Sequence, residues 1–198
     1  MIEFNNISKE PPYIVFKDTY EKALKANQKN IEAISISSFS KKDNEVNARF
    51  VNLKFINNKD FIFFSNYASP KSKEFDSHNQ IIALIYWNSI NVQIRIRAVI
   101  ERASKDFNNS YFLNRDKSKN ALAISSYQSN TIDSYDSVKE NFKQTLKNKD
   151  LHKCPDYWGG FVFIPYYFEF WEGHKSRLNK RIRYKFEDGE WIKSYLQP

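Results

Sequence analysis

The densest group of chemically capable side chains lies near the C-terminus, in the stretch EFWEGHKSRLNKRIRY at residues 169–184. An aromatic block leads there into a series of cations, with no acid after Glu172. The cations are Lys175, Arg177, Lys180, Arg181 and Arg183. Three of the chain's eight arginines fall in this stretch, and arginine is the residue best suited to hold a phosphate or carboxylate through two parallel hydrogen bonds. The stretch therefore predicts a binding site for an anion.

Other common chemistries find little support in the residues. The four glycines cannot form a G-x-G-x-x-G motif or a Walker loop, which excludes Rossmann dinucleotide sites and P-loops. The three histidines and the single cysteine show no metal-ligand spacing, so no metal site is expected. No pair of carboxylates stands out for hydrolysis, and a Ser-His-Asp arrangement cannot be identified from chain order because its geometry is spatial.

Composition and charge favour a cytoplasmic protein with an anionic partner. The 198 residues suit one domain, residues 1–198, with an irregular segment at 1–12. The single cysteine, Cys154, cannot form an internal disulfide, which favours a reducing compartment. No stretch resembles a signal peptide or reaches the ~20 apolar residues of a membrane span. The net charge of +8 points to nucleic acid, acidic lipid or a phosphorylated small molecule.

About seven strands and four short helices are expected to position these residues. Helical spacing appears, for example, at 105–115 and 135–147, and strand-forming runs at 80–87 and 159–171. Strands in a meander with inserted helices predict a mainly β (α+β) fold, an antiparallel barrel or sheet with peripheral helices.

The run VQIRIRAVIERA at 92–103 alternates with the period of a half-buried strand. The apolar members, which should face the core, are Val92, Ile94, Ile96, Ala98 and Ile100. The polar members Gln93, Arg95 and Arg97 should share the opposite face.

Several short motifs occur together in a recognisable order. They are RFVNLK with Arg49 and Lys54, FFSNYASPKS with Lys71, the residue Gln93, YFLNR with Tyr111 and Arg115, YQS with Gln128 and Ser129, YWGGF, EFWEG, and finally Arg177 and Arg181. In this order and spacing they resemble the pyridoxamine 5′-phosphate oxidase family, from about Ile31 to Pro198. The resemblance implies an FMN-binding split barrel, an antiparallel barrel that acts as a homodimer.

The resemblance also implies a set of cofactor ligands. Arg49, Ser65 and Lys71 would hold the FMN phosphate from one subunit, and Gln128 and Ser129 would reach it from the other. A further group would contact the remainder of the cofactor, with Gln93 bonding the flavin ring, Trp171 covering it and Arg181 near its N1–C2 edge. The cofactor set is completed by Lys54 and Phe64.

The implied reaction is the oxidation of pyridoxamine or pyridoxine 5′-phosphate in vitamin B6 metabolism, which makes pyridoxal 5′-phosphate. A hydride would pass to flavin N5, and dioxygen would reoxidise the flavin with release of hydrogen peroxide. The residues implied at the substrate are Lys54, Tyr111, Arg115, Lys119, Arg177 and Asn179, with Arg177 and Arg181 as the catalytic pair.

The chain departs from the family pattern at four places. Pro70 stands where an arginine is usual, Lys119 where a serine is usual, and Asn179 where a histidine is usual, and the basic N-terminal segment has no counterpart. These departures leave open a split-barrel flavin oxidase with another ring substrate, such as a phenazine-type precursor. An alternative from another class is a basic barrel that binds nucleic acid by stacking bases on exposed aromatic rings.

One local conflict accompanies the resemblance. Arg49 and Lys54 are five residues apart, so a regular strand would direct their side chains to opposite faces. A β-bulge or a strand end is needed to bring both to one pocket.

Overall fold

Nine strands and five α-helices make up the chain, and the computed structural model describes all residues from Met1 to Pro198. The strands are β1 (Glu3–Asn5), β2 (Ala33–Ser40), β3 (Glu45–Asn57), β4 (Asp60–Asn66), β5 (Gln80–Trp87), β6 (Val92–Arg102), β7 (Trp158–Glu172), β8 (Lys180–Glu187) and β9 (Glu190–Leu196). The helices are α1 (Pro11–Lys25), α2 (Pro70–Ser77), α3 (Lys105–Asn114), α4 (Lys117–Ser125) and α5 (Tyr135–Asn148), with a short 3₁₀ turn at Asn88–Ile90. The prediction of about seven strands and four helices was therefore too low. None of the helices combines the length and the apolar character needed to cross a bilayer.

The strands form one sheet that closes on itself. Its order is β1-β3-β2-β5-β6-β7-β8-β9, and β4 pairs with both β3 and β7. Six strands therefore form a ring in the order β3-β2-β5-β6-β7-β4, while β8 and β9 extend beyond it. Every pairing is antiparallel except that of β1 with β3. The predicted antiparallel barrel with peripheral helices is confirmed, whereas β1 lies in the segment expected to be irregular.

The inner faces of the strands and one face of α1 form the core. Ile94, Ile96 and Ala98 are fully buried, as the alternation in β6 predicts, whereas Val92 at the strand end is only half-buried. Helix α1 covers one end of this core with the rings of Tyr13, Phe16 and Tyr20. The outward residues of β6 are consequently available for a site on the barrel surface.

The start of β7 is held by two polar side chains from neighbouring elements. The Tyr67 hydroxyl donates to the Gly160 carbonyl at 2.8 Å, and the Gly160 N–H donates to Asn108 Oδ1 at 2.7 Å. Asn108 lies on α3 and also donates to the Tyr67 hydroxyl at 2.9 Å. This clamp fixes α3 against β7, and Gly159 makes room for it because a Cβ there would overlap the side chains of both Tyr67 and Asn108.

Replacement of Gly159 by alanine should therefore destabilise the protein by about 1–3 kcal/mol, the usual cost of overpacking. Gly160→Ala is the matched comparison, because its nearest side-chain neighbour, Ala103 Cβ, would lie at 3.1 Å and can yield slightly. Urea unfolding of both variants measures the difference. Equal stabilities for the two would show that the clamp does not depend on the missing Cβ.

Candidate functional site

A cavity of about 450 Å³ lies outside the barrel, between β3, β4, the start of α2, and the pair α3 and α4. Its charged lining consists of four cations and one carboxylate, namely Lys54, Lys71, Arg115, Lys119 and Asp116. Phe64, Ser65, Tyr111 and Gln128 also line it. Eight of the residues implied by the resemblance therefore meet here, in what we call the cationic cavity. The excess of cations suits it to an anionic ligand.

Lys71 is the most buried cation of this cavity, with 8% of its surface exposed. Its ammonium donates to Gln128 Oε1 at 2.8 Å, to Ser69 Oγ at 3.1 Å and to Ser65 Oγ at 3.2 Å, all of them neutral acceptors. Burial, followed by the charge of Arg49, lowers the pKa of Lys71 to about 8, although Glu74 opposes the shift. A buried ammonium with neutral partners lacks a counter-charge, which an anion in the cavity would supply.

Arg115 and Tyr111 are held in the cavity by an aromatic stack. Tyr111 lies on Phe64 at a centroid distance of 3.8 Å, and Phe64 lies on Trp158 at 5.2 Å. The Arg115 guanidinium lies 4.9 Å from the Trp158 ring centroid and donates to Asn120 Oδ1 at 3.1 Å. Sequence reasoning did not assign a role to Trp158 or Asn120. Trp158 stood within the motif YWGGF, but no local signal marked the buried amide of Asn120.

Lys54 reaches the cavity at a β-bulge, whereas Arg49 does not line it. The pairing of β3 with β4 shifts register between Leu53 and Phe55, which places the bulge at Lys54. Arg49 pairs across the sheet with Ile36, and its guanidinium donates to Glu74 Oε2 at 2.8 Å. The bulge expected in this strand is present, but the structure does not bring Arg49 and Lys54 to one pocket. Glu74, which the sequence did not single out, holds Arg49 apart.

A second group of the implied residues forms a cross-strand row on the outer face of the barrel. Gln93 on β6 is paired with Trp171 on β7, and Trp171 is paired with Arg181 on β8. Directly paired residues share one face of a sheet, so these three side chains form a single surface, here called the outer rung. The prediction that Gln93 faces away from the core is confirmed.

Arg181 is bound to a buried carboxylate beside the outer rung. Its Nε and Nη2 donate to Glu169 Oε1 at 3.0 Å and 2.7 Å, and Glu169 is 2% exposed. Arg95 lies 3.5 Å from Glu169 Oε2, and the Tyr167 hydroxyl donates to the same oxygen at 2.9 Å. Burial favours the neutral acid, but the hydrogen bonds from Arg181 and Tyr167 and the charges of the two arginines outweigh it and keep the pKa of Glu169 below its ordinary value. Glu169 is therefore an anion at neutral pH.

Within one chain, none of the outer-rung residues lines the cationic cavity. Trp158 supports the cavity and Trp171 belongs to the rung, yet both lie on β7, thirteen residues apart. One chain therefore presents two separate groups of the implied residues.

The remaining implied residues lie outside both groups. Arg177 is exposed in the loop between β7 and β8, with a left-handed backbone (φ 59°). In the same loop Asn179 Oδ1 accepts from the His174 N–H at 3.0 Å. Ser129 lines a different cavity, of about 250 Å³, beside α4 and α5. No group of His, Cys, Asp and Glu side chains is arranged to hold a metal ion.

Comparison with known proteins identifies relatives of this chain. Residues 158–198 match the model of the pyridoxine 5′-phosphate oxidase C-terminal dimerisation region. The chain is 33% identical over 191 residues to pyridoxine/pyridoxamine 5′-phosphate oxidase 1 of Hydrogenovibrio crunogenus, covering 94% of this chain and 88% of the relative. It is 32% identical over 191 residues to the enzyme of that name from Alteromonas mediterranea, covering 94% and 89%.

Two solved structures share the fold. PhzG from Burkholderia lata, solved with tetrahydrophenazine-1-carboxylic acid, superposes with a TM-score of 0.89 at 22% identity, covering 96% of this chain and 93% of that one. An FMN-binding protein from Nostoc punctiforme, related to pyridoxamine 5′-phosphate oxidase, superposes with a TM-score of 0.77 at 11% identity, covering 92% and 97%. These likenesses confirm the predicted split-barrel fold.

The pH dependence of stability tests the state of Lys71. Its pKa of about 8 in the folded chain lies below the ordinary lysine value of 10.5, which applies to the unfolded chain. The unfolded chain therefore binds more protons between these values, and the contribution of Lys71 to stability rises with pH across that window. Lys71→Met removes this contribution, so the unfolding free energy of the variant minus that of wild type should fall as pH rises through the window.

Urea titrations at unit pH steps measure this difference, and Lys73→Met is the matched control because Lys73 is exposed on the same helix. The difference between Lys73→Met and wild type should stay constant. A constant difference for Lys71→Met as well would contradict a buried, uncompensated ammonium.

Proposed function

The chain belongs to the pyridoxine/pyridoxamine 5′-phosphate oxidase family, and from that premise we propose that it is an FMN-dependent oxidase of pyridoxine or pyridoxamine 5′-phosphate. The observation that carries the proposal is the cationic cavity, in which four cations face one carboxylate. Both the proposed cofactor and the proposed substrate carry a phosphate, so a surplus of positive charge is what their joint site requires. The product would be pyridoxal 5′-phosphate.

The residues around Lys71 fit the phosphate of FMN. A buried ammonium without a carboxylate partner and the adjacent Ser65 hydroxyl are suitable donors to a dianion. Gln128, which the resemblance assigned to the second subunit, bonds to Lys71 within the same chain, so its side chain would be displaced or shared when a phosphate enters. When bound, FMN would supply the redox chemistry, accepting two electrons from the substrate and passing them to dioxygen.

A homodimer would bring the two groups of residues into one site. The cationic cavity of one chain can receive the phosphate, whereas Gln93, Trp171 and Arg181 of the same chain lie outside its lining. We propose that the outer rung of a second copy completes the site. Two observations support this: the matched dimerisation region, 158–198, includes Trp171 and Arg181, and the outer face exposes Phe50 (76%) and Tyr86 (55%), which a partner would cover.

The protein's own residues would bind and orient the substrate. Lys54, Arg115 and Lys119 supply cations for a second phosphate, and the stack on Phe64 keeps Tyr111 beside them. Arg177 stands in the exposed loop after Trp171 and is proposed to close over the substrate ring. Arg181 would place positive charge beside the flavin ring, where negative charge accumulates on reduction. Asn179 bonds its own loop and is proposed to shape that loop.

Mixing two defective variants tests whether one site needs two chains. Lys71→Met damages the cavity, and Trp171→Ala damages the outer rung, so neither pure variant should bind FMN well. In a mixed dimer, the intact cavity of one chain meets the intact rung of the other. We expect the mixture to recover roughly a quarter of wild-type FMN capacity, because about half of randomly formed dimers are mixed and each holds one good site of two.

FMN capacity is measured by fluorescence titration after unfolding and refolding the two variants together. Each variant refolded alone is the control. No recovery in the mixture, while wild type binds FMN, would show that each site is built from one chain. A different outcome is that wild-type protein takes up no FMN and binds nucleic acid with an affinity that falls as salt is added. That result would contradict the proposed oxidase and favour the alternative of a nucleic-acid-binding barrel.

The role of Arg115 in binding the substrate phosphate gives a second test. Arg115→Ala removes a charge-assisted contact of ~1.5–3 kcal/mol, so kcat/KM for pyridoxamine 5′-phosphate should fall roughly ten- to 150-fold. FMN content should stay near the wild-type level, since Lys71 and not Arg115 is proposed to bind the cofactor.

Steady-state oxidation of pyridoxamine 5′-phosphate measures this effect, with Lys117→Ala as the control because Lys117 is exposed two residues away. If wild type oxidises the phosphate-free amine as well as the phosphorylated one, the cations of the cavity have another purpose. That result would favour an oxidase with a different ring substrate.

A further inference from the structure

Glu169 is the most buried carboxylate of the chain, although it lies on the outer face of the barrel. Its side chain is 2% exposed and shares its cross-strand pairing with Arg95 on β6 and Arg183 on β8. Burial of a carboxylate is costly unless other groups satisfy it. Here both oxygens are satisfied, since Oε1 accepts two bonds from Arg181 and Oε2 accepts one from Tyr167 while facing Arg95.

The bonds to Glu169 also determine how Arg181 is presented. Nε and one N–H of Nη2 are used by Glu169, and Nη1 donates to the Gln197 carbonyl at 2.8 Å. A guanidinium has five N–H groups, so two remain, one on each terminal nitrogen. Arg181 is paired across the strands with Trp171, which fixes these free donors beside the surface of the outer rung.

We propose that Glu169 is a positioning residue, which holds Arg181 in place for the flavin and limits the positive charge at that end of the site. The inference rests on the proposed FMN-binding function and adds to it a residue that does not itself touch the cofactor. Two arginines, Arg95 and Arg181, share this one carboxylate, so the group carries one net positive charge instead of two.

Tyr167 supports Glu169 from its other side. The Tyr167 ring lies under the Arg97 guanidinium at 4.6 Å, and its hydroxyl donates to Glu169 Oε2. These contacts restrain the carboxylate, and with it Arg181, before any ligand arrives. A preorganised cation is more effective than a mobile one because it needs no rearrangement when charge develops nearby.

Two substitutions distinguish the two effects of Glu169, which are to hold Arg181 in place and to supply a negative charge beside it. Glu169→Gln keeps the size of the side chain and an oxygen that can accept from Arg181, but it removes the negative charge. The midpoint potential of bound FMN should therefore rise, because the reduced flavin carries more negative charge and would face an uncompensated arginine pair. FMN affinity should stay within a few-fold of wild type.

Glu169→Ala removes the acceptor as well and releases Arg181. The dissociation constant for FMN should then rise about tenfold to a hundredfold, the usual effect of losing one charge-assisted contact. Fluorescence titration with FMN, the midpoint potential of the loaded protein and the melting temperature of each variant are measured together. Glu172→Gln is the matched control, since Glu172 lies on the same strand but its side chain is 60% exposed, 3.8 Å from Lys180.

A purely structural role would lower the melting temperature and leave the FMN affinity and the potential of the folded variants at wild-type values. That result overturns the positioning role alone, provided wild type binds FMN. Wild type that takes up no FMN overturns the proposed function, and the positioning role falls with it. If Glu169→Ala does not fold, the potential of Glu169→Gln decides, because this variant keeps the shape of the site.

Discussion

The double pairing of β4 is the constraint on which the rest of the molecule depends. Hydrogen bonding to β3 on one edge and to β7 on the other closes six strands into a ring. Each side chain of β4 therefore points either into the barrel or out of it. Phe63 points inward and stacks on Phe161 at 5.5 Å, whereas its neighbour Phe64 points outward and carries Tyr111. The same closure fixes Ser65 at the wall of the cationic cavity. Core and site are therefore built from neighbouring residues of one short strand, Phe63 for the core and Phe64 and Ser65 for the cavity.

Two buried charged residues, Glu169 and Lys71, have opposite electrostatic surroundings. Glu169 faces two arginines, whereas the hydrogen-bond partners of Lys71 are all neutral oxygens. A buried charge without a counter-ion reduces the stability of the free protein. The arrangement around Lys71 is reasonable if an anion supplies the missing charge, so that some folding stability is exchanged for affinity. The cluster around Glu169 is complete without a ligand and needs nothing further to remain ordered.

Polar side chains outside the recognised motifs hold the cavity in shape. Asn108 and Tyr67 lock α3 to the start of β7, and Asn120 donates to the carbonyls of Phe112 and Leu151 while it accepts from Arg115. A fully bonded buried amide permits only one arrangement of its neighbours. Arg115, directly after α3, and Lys119 on α4 are therefore held by helices whose positions are fixed by these bonds.

Local pattern in the sequence determined most of the strands and the polar face of β6, because side-chain alternation acts over a few residues. The register of short motifs also identified the family and eight residues that meet in one cavity. Tertiary structure alone decided that Arg49 is held by Glu74, that Gln128 meets Lys71 within one chain, and that Trp171 lies outside the cavity lined by Lys71. The Arg49–Glu74 and Lys71–Gln128 contacts join residues at least 25 positions apart. Such partners are set by sheet order and barrel closure, which no local periodicity encodes.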